Sequence, residues 1–183
     1  MAGQVRSFAA GGQTQDLRPC GQDAADAIGA MKRLMDERLS LMTEVARQKW
    51  NTKGAIEDLL REKEIVDGLK VEAAELGLSE VWAERFFRAQ IEAGKVIQRE
   101  CFVNWGQAGV DQFGNALDLA RVIRPRLDQI NSQLLRVLVL GWPVLADPTQ
   151  CSHVAATTES LLAVHGELVA TLAVVALREV ETS

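Results

Sequence analysis

Apolar residues recur every three or four positions through most of the chain, and this helical spacing is the feature that most limits the possible folds. The clearest stripe lies near the N-terminus and consists of Ile28, Met31, Met35, Met42 and Val45. No segment shows the apolar and polar alternation, rich in Val, Ile, Thr and aromatic residues, that is typical of a strand. The sequence therefore predicts an all-α fold, a helical bundle with a long N-terminal helix.

Glycine and proline divide this pattern into predicted helices at about 23–50, 56–76, 80–105, 126–140 and from 152 onward. We expect a turn at 51–54, an N-cap at Ser79, a break or kink at Pro125, and a stop at 141–143. The inner face of the last helix is predicted to carry Leu161, Leu168, Leu172 and Val175.

The composition indicates one globular domain. The chain has 183 residues, 48% of them hydrophobic and 25% charged, with a formal net charge of −5, so nucleic acid is not an expected partner. We expect residues 1–22 to be a flexible arm and 23–183 to be the domain, in which the helices of 23–106 form the core and those of 107–183 complete the site. Neither a signal peptide nor the roughly 18–20 apolar residues of a membrane span can be recognised.

The cysteines and histidines predict neither a metal site nor a disulfide framework. Cys20, Cys101 and Cys151 are odd in number and show no CxxC spacing. His153 and His165 lie 12 residues apart without a nearby carboxylate triad, so we assign them no chemistry.

Two cations interrupt the apolar stripe of the first helix. Continuing the three-and-four spacing from Met35 reaches Arg38 and later Lys49. These two residues are 11 positions apart, which is almost three turns, so their side chains point the same way with Cα atoms roughly 16 Å apart. They can grip the two ends of one small molecule.

The next two predicted helices carry polar groups on comparable faces. Asp58, Arg61 and Glu62 share one face of the second helix, and the stripe of the third includes Gln98 and, a turn earlier, Gly94, whose missing side chain leaves room. These groups either reach the surface and form ordinary ion pairs, or meet in a small, net positive pocket suited to a compact dicarboxylate.

Three separated segments resemble the all-helical chorismate mutases. The first is ERLSLMTEVARQKW, with Arg38 and Lys49; the second is GAIEDLLREKEIV, with Asp58, Arg61 and Glu62; the third is FFRAQIEAGKVIQ, with Gly94 and Gln98. The spacings agree as well, and the length is similar to that of the longer, exported subclass. The resemblance implies an active site enclosed between helices, without metal or cofactor.

By this resemblance, the substrate is chorismate, a dianion that rearranges to prephenate by a pericyclic shift in phenylalanine and tyrosine synthesis. Arg38 and Arg61 would hold the carboxylates, and Glu62 with Asp58 would orient the ring hydroxyl. The protein must hold the reactive conformer and stabilise charge on the breaking ether bond.

The same resemblance implies that Lys49 binds a carboxylate and the ether oxygen, and that Gln98 donates a second hydrogen bond to that oxygen. Some relatives have Glu in place of Gln98, and a Glu donates only when protonated, whereas an amide donates at any ordinary pH. We therefore expect activity that is flat around neutrality.

The chain departs from the family pattern at two positions. The cation expected from the second half falls near Gln133, and Arg126 or Arg136 could replace it; we favour Arg136 as a substrate-binding residue. Gly94 stands where relatives often carry Ser or Thr, so its backbone N–H is expected to contact the substrate instead.

The resemblance also bears on assembly and compartment. It implies a homodimer that is periplasmic or secreted, with a cytoplasmic protein as the alternative because no signal peptide is recognised. Pairing of Cys20 with Cys151 stays open. Two other functions also stay open: a catalytically silent bundle that binds a small dicarboxylate, and a plain structural or interaction bundle.

Overall fold

The computed structural model describes residues 20–145 and 152–178, and within these ranges the regular structure is entirely helical. The predicted all-α class is therefore confirmed. The α-helices are α1 Cys20–Thr52, α2 Leu59–Glu75, α3 Glu80–Gln107, α4 Arg124–Leu145, α5 Ser152–His165 and α6 Glu167–Arg178, and a π-helical turn, Leu119–Ile123, leads into α4. None of the helices in these ranges is both long and apolar enough to cross a bilayer.

The long helix α1 is central to the bundle, because α3 and α4 both pack along it while α6 packs against α3. The first half of its apolar stripe is sealed from solvent: Met31, Met35 and Leu39 are completely buried and Ile28 is nearly so. These side chains join α3, α4 and α6 in one apolar core. The predicted stripe is thus the buried face of α1.

The ends of α1 and α3 follow the predicted turn chemistry closely. α1 ends at Thr52, and Lys53 rather than Gly54 takes the left-handed conformation, with φ 53°. Ser79 caps α3 as predicted, with its hydroxyl accepting from the Trp82 backbone N–H at 3.3 Å. α3 runs two residues beyond the predicted end, to Gln107.

The second helix starts later than predicted, at Leu59, because Asp58 is its N-cap. The Asp58 carboxylate accepts from the backbone N–H of Arg61 at 3.2 Å, and the Glu62 carboxylate accepts from the backbone N–H of Asp58 at 3.3 Å. This reciprocal pair acts as a capping box in which Glu62 lies one position beyond the usual N3 residue, and it satisfies two N–H groups that a helix start leaves unbonded.

The predicted limits of α4 were wrong at both ends. Pro125 does not end the helix. It lies in the first turn of α4, a position at which proline is tolerated. The helix also continues through Gly141 and Pro143 to Leu145. A Cβ at Gly141 would lie 3.2 Å from Ile28, so the glycine allows α4 to approach α1 closely.

The last predicted helix is two helices, since Gly166, with φ 81°, separates α5 from α6. Because of this break, the residues of α6 that face the core differ from those of the predicted stripe. Leu161 is buried as expected, whereas Leu168 is 58% exposed and Val169 and Ala170 take its place in the core.

Several predictions concern residues 1–19, 146–151 and 179–183 or side chains outside the described part. Residues 1–19 of the predicted flexible arm, the side chains of Cys20, Cys151, His153 and Val175, and the disulfide question lie there, whereas residues 20–22 of that arm belong to α1. Cys101 is described and is a free thiol, half-buried, and burial raises its pKa.

Candidate active site

One cavity opens between α1, α2, α3 and the start of α4, with an empty volume, including its solvent-filled mouth, of about 650 Å³. Six of the predicted site residues line it: Arg38, Lys49, Asp58, Arg61, Glu62 and Gln98. Residues from three separate segments of the sequence therefore meet in one place.

Arg38 lies at the bottom of the cavity, where α1 passes α3 and α4. It is only 5% exposed, its Nε donates to Asn131 Oδ1 at 3.1 Å, and its Nη1 donates to the Gln90 carbonyl at 2.8 Å. Burial lowers the pKa of the guanidinium to about 10. Two neutral acceptors thus hold the guanidinium in place. In the described structure no carboxylate lies within hydrogen-bonding distance of it to cancel its charge.

Lys49 projects from α1 three turns beyond Arg38, as the spacing predicts. Its Nζ donates to the Ile56 carbonyl at 2.7 Å, which leaves two of its three N–H groups for a ligand. Burial lowers the pKa of Lys49, although Asp58 and Glu62 act in the opposite direction.

Asp58 and Glu62 belong to the capping box of α2, so the first turn of that helix is part of the cavity wall. Asp58 also faces Arg124, whose Nη2 lies 3.5 Å from its carboxylate. The two carboxylates are therefore fixed by the helix start rather than free to rotate.

Arg61 lies at the rim between α2 and α4. Its Nη2 contacts both oxygens of Asp128 at 3.1 Å, and its Nη1 lies 3.4 Å from Glu64. Its buried Nε has no hydrogen-bond partner within the described part of the chain. Arg61 thus holds a carboxylate of the protein itself and retains a donor for another acceptor.

Gln98 is buried on α3, 5% exposed, and its Nε2 donates to the Gly94 carbonyl at 3.2 Å. Its Oε1 is buried without a partner among the described residues. Because the two ends of an amide are nearly alike in shape, either end can turn toward a ligand in the cavity.

Gly94 differs from the expectation. It does not line the cavity, because the side chain of Met42 covers it; a Cβ at this position would lie 2.8 Å from Met42 Sδ. Gly94 also lies inside α3, where its N–H belongs to the hydrogen bonding of the helix. The space left by the missing side chain is filled by methionine, and a contact of this N–H with substrate is not supported.

Arg136, predicted as the fourth cation, does not line this cavity in the described structure. Arg136 is exposed and lies with Gln133 beside a different cavity, between the outer faces of α1 and α4. Arg126 pairs with Glu37. The second half of the chain instead contributes Arg124, which lines the cavity because α4 begins at that residue.

Sequence reasoning also missed Lys95, a buried lysine on α3. Its Nζ forms ion pairs with Glu92 at 2.6 Å, Glu57 at 3.0 Å and Glu62 at 3.3 Å. A signal was available, since Lys95 lies one turn before Gln98, but a helical lysine flanked by carboxylates is ordinarily a surface residue.

The charges around the cavity do not cancel. Five cations line it, namely Arg38, Lys49, Arg61, Lys95 and Arg124, and three carboxylates, namely Asp58, Glu62 and Asp128. The lining therefore has an excess of two positive charges. Such a cavity can bind a small dianion and stabilise negative charge that develops on it.

Comparison with known proteins gives consistent results. Residues 26–99 match the family model "Chorismate mutase type II". The chain is 27% identical over 127 residues to the secreted chorismate mutase of Mycolicibacterium smegmatis, which covers 68% of this chain and 70% of the relative. It is 29% identical over 118 residues to the monofunctional chorismate mutase of Enterobacter agglomerans, covering 64% of each.

The fold agrees with these sequence similarities. The crystal structure of chorismate mutase from Burkholderia phymatum superimposes with a TM-score of 0.75 at 28% identity, covering 84% of this chain and 97% of that one. The similarity thus extends beyond the matched segment into the C-terminal helices. The similarity to the all-helical chorismate mutases therefore covers residues 26–99 in sequence and most of the chain in fold.

Proposed function

We propose that this protein converts chorismate to prephenate in the cavity between α1, α2, α3 and α4. The observation that carries the proposal is the convergence of Arg38, Lys49, Arg61 and Gln98 on a cavity lined by two more positive than negative charges. Chorismate is a compact dianion, so its two carboxylates match this excess. Holding the reactive conformer among fixed cations lowers the barrier without any proton transfer.

In this proposal each cation binds a different part of the substrate, according to its position in the cavity. Arg38, buried and fixed by Asn131 and Gln90, holds one carboxylate at the bottom of the cavity. Arg61, whose Nη2 also contacts Asp128, holds the other carboxylate at the rim. Arg124 supplies the cation that the resemblance places near Gln133.

The ether oxygen of chorismate accepts hydrogen bonds from Lys49 and Gln98. Lys49 has two N–H groups beyond its bond to the Ile56 carbonyl. The amide nitrogen of Gln98 donates to the Gly94 carbonyl and lies 3.7 Å from Met42 Sδ, a weak acceptor that a ligand oxygen can replace. Both donors gain strength as negative charge develops on the ether oxygen in the transition state. Glu62 with Asp58 orients the ring hydroxyl.

The test is to mix the purified protein with chorismate at neutral pH, follow the loss of its ultraviolet absorbance, and confirm prephenate by acid conversion to phenylpyruvate. Lys49→Ala should reduce kcat by about 10²–10³-fold or more while the helices persist, because it removes a donor to the developing charge. Lys63→Ala is the control, since Lys63 is an exposed lysine on α2 outside the cavity. Full activity in Lys49→Ala would contradict the proposal.

The silent dicarboxylate binder predicts a different result. Chorismate would then protect the fold against heat without being consumed, because binding to the native state alone raises the melting temperature. Arg38→Ala would remove that protection. If chorismate neither is converted nor protects the fold against heat, only the structural or interaction bundle remains as an explanation.

We further propose that the protein acts outside the cytoplasm, since the relative from Mycolicibacterium smegmatis is named a secreted chorismate mutase. Fractionation of the producing cells, with chorismate mutase activity measured in each fraction, tests this. A homodimer remains a prediction that sedimentation measurements can check. The cavity is lined by residues of a single chain, with Arg124 coming from its second half.

A further inference from the structure

We propose that Lys95 is a positioning residue of this site: it holds Glu62 and the connecting segment 53–58 against α3 and makes no contact with substrate. The inference rests on the proposed function, because the wall that Lys95 positions is the wall of the proposed chorismate cavity. The resemblance assigns no role to this position.

The hydrogen bonding of Lys95 excludes a direct role. An ammonium group has three N–H donors, and the Nζ of Lys95 has three carboxylate partners, Glu92 at 2.6 Å, Glu57 at 3.0 Å and Glu62 at 3.3 Å. No donor remains for an anionic ligand. Lys49, which lines the same cavity, differs in this respect, because among the described residues its Nζ donates to the Ile56 carbonyl alone.

Lys95 fixes the start of α2 through Glu62. One oxygen of the Glu62 carboxylate accepts from Lys95 Nζ, and the other accepts from the backbone N–H of Asp58. Asp58 in turn caps the backbone N–H of Arg61. Through the Glu62 carboxylate, Lys95 is therefore connected to the capping box of α2. This box fixes the proposed substrate-binding side chains Asp58 and Glu62 and the backbone of Arg61.

Lys95 fixes the connecting segment through Glu57. Lys95 binds one oxygen of that carboxylate, and Arg99, one turn later on α3, binds the other. Glu57 lies between Ile56, whose carbonyl accepts from Lys49, and Asp58, the N-cap. Two cations of α3 thus hold the segment that orients Lys49.

Lys95 also balances charge beside the anion site. The Glu62 side chain is only 17% exposed, so without Lys95 its negative charge would face the incoming dianion with little screening. Burial by itself lowers the pKa of Lys95, but its hydrogen bonds to Glu92, Glu57 and Glu62 raise it above the ordinary value. These hydrogen bonds therefore favour the charged form of the lysine.

The first experiment compares Lys95→Met with Lys70→Met in the full-length chain, using chorismate as substrate. Lys70 forms an ion pair with Glu84 at 2.8 Å that also joins α2 to α3, but it lies outside the cavity. We expect Lys95→Met to raise KM about tenfold or more, with a smaller change in kcat, because the variant weakens binding of the dianion in both ground and transition states. Lys70→Met should keep both constants within about twofold of the original protein.

The second experiment asks whether Lys95 acts through Glu62, using a cycle of Lys95→Met, Glu62→Gln and the double variant. If it does, the double variant is no worse than Glu62→Gln alone, because the carboxylate to be positioned is already gone. Independent losses that multiply would overturn the action through Glu62 and leave Glu57 as the only carboxylate through which Lys95 could position the site. Lys95→Arg should restore much of the affinity, since it can retain ion pairs with these carboxylates.

The outcomes separate this inference from the proposed function. A wild-type protein without turnover overturns both. An active wild type in which Lys95→Met behaves as Lys70→Met overturns only the role of Lys95. Should circular dichroism show Lys95→Met unfolded, Glu57→Gln carries the test, because Glu57 is exposed and its loss releases the same segment; an unchanged KM there overturns the inference.

Discussion

The two halves of α1 carry one continuous stripe but do different work. In the first half, Met31 and Met35 are completely buried among apolar side chains of α3, α4 and α6. In the second half, Arg38 and Lys49 occupy equivalent positions of the stripe and line the cavity. Apolar burial stabilises the first half, whereas the second half uses the same helix geometry to hold charges where they are poorly solvated.

The largest expected difference is in stability. Met35→Ala should lower the free energy of unfolding by about 2–5 kcal/mol, because it leaves a cavity in a closed core. Met42→Ala, seven residues later on the same stripe, should lower it less, since Met42 borders the open cavity, but it should change catalysis by uncovering Gly94 beside Gln98. Denaturant unfolding and kcat/KM of both variants test this; equal stability losses would remove the distinction between the two halves.

A second prediction concerns the amide that faces Lys49 across the cavity. Gln98→Glu should lower kcat/KM by about 10²-fold or more at neutral pH and less at acidic pH, because a buried carboxyl donates to the ether oxygen only when protonated. The pH profile of the original protein should be flat between about pH 6 and 8. Gln107→Glu, an exposed change on the same helix, is the control. Equal activity of Gln98→Glu at pH 5 and pH 8 would show that Gln98 does not donate to that oxygen.

The smallest effect is expected at alkaline pH. Burial lowers the pKa of Lys49 below its ordinary value of 10.5. Since only the protonated amine binds the dianion, kcat/KM should fall as the pH rises through this lowered pKa, below pH 10.5. The pKa of Arg38, about 10, contributes in the same direction. Lys49→Arg, if active, should move the decline to higher pH, and a profile constant up to pH 10.5 would contradict a catalytic charge on Lys49.

The residues of α1 could be predicted from sequence because a helix fixes their relation. Eleven positions on one helix define both the distance and the direction between Arg38 and Lys49, whatever the helix packs against. Asp58 and Glu62 were recognised as site residues by the resemblance, and they too are close in sequence, four positions apart. The all-helical class could be predicted because the apolar spacing is helical, and the described segments are helical in the folded protein as well.

The residues that were missed depend on contacts between distant segments. Arg124 lines the cavity because α4 begins before Pro125, which a breaker rule treats as an interruption. Lys95 acquires its role from Glu57 and Glu62, which are 38 and 33 residues away in sequence. Gly94 suggested empty space, but whether such space exists depends on Met42 of another helix. Helical periodicity alone contains no information on these encounters.

The hydrogen bond from Arg38 to Asn131 joins residues 93 positions apart and has a consequence for any attempt to shorten this protein. The family model ends at residue 99, yet Arg38, a buried cation within it, depends on an amide of α4. Gln90, also within the matched part, donates to the Ala173 carbonyl of α6. A chain truncated after α3 would retain nearly every recognisable motif while losing the α4 amide that holds Arg38 in place. A minimal version of this enzyme must therefore keep its C-terminal helices or replace them with a second chain.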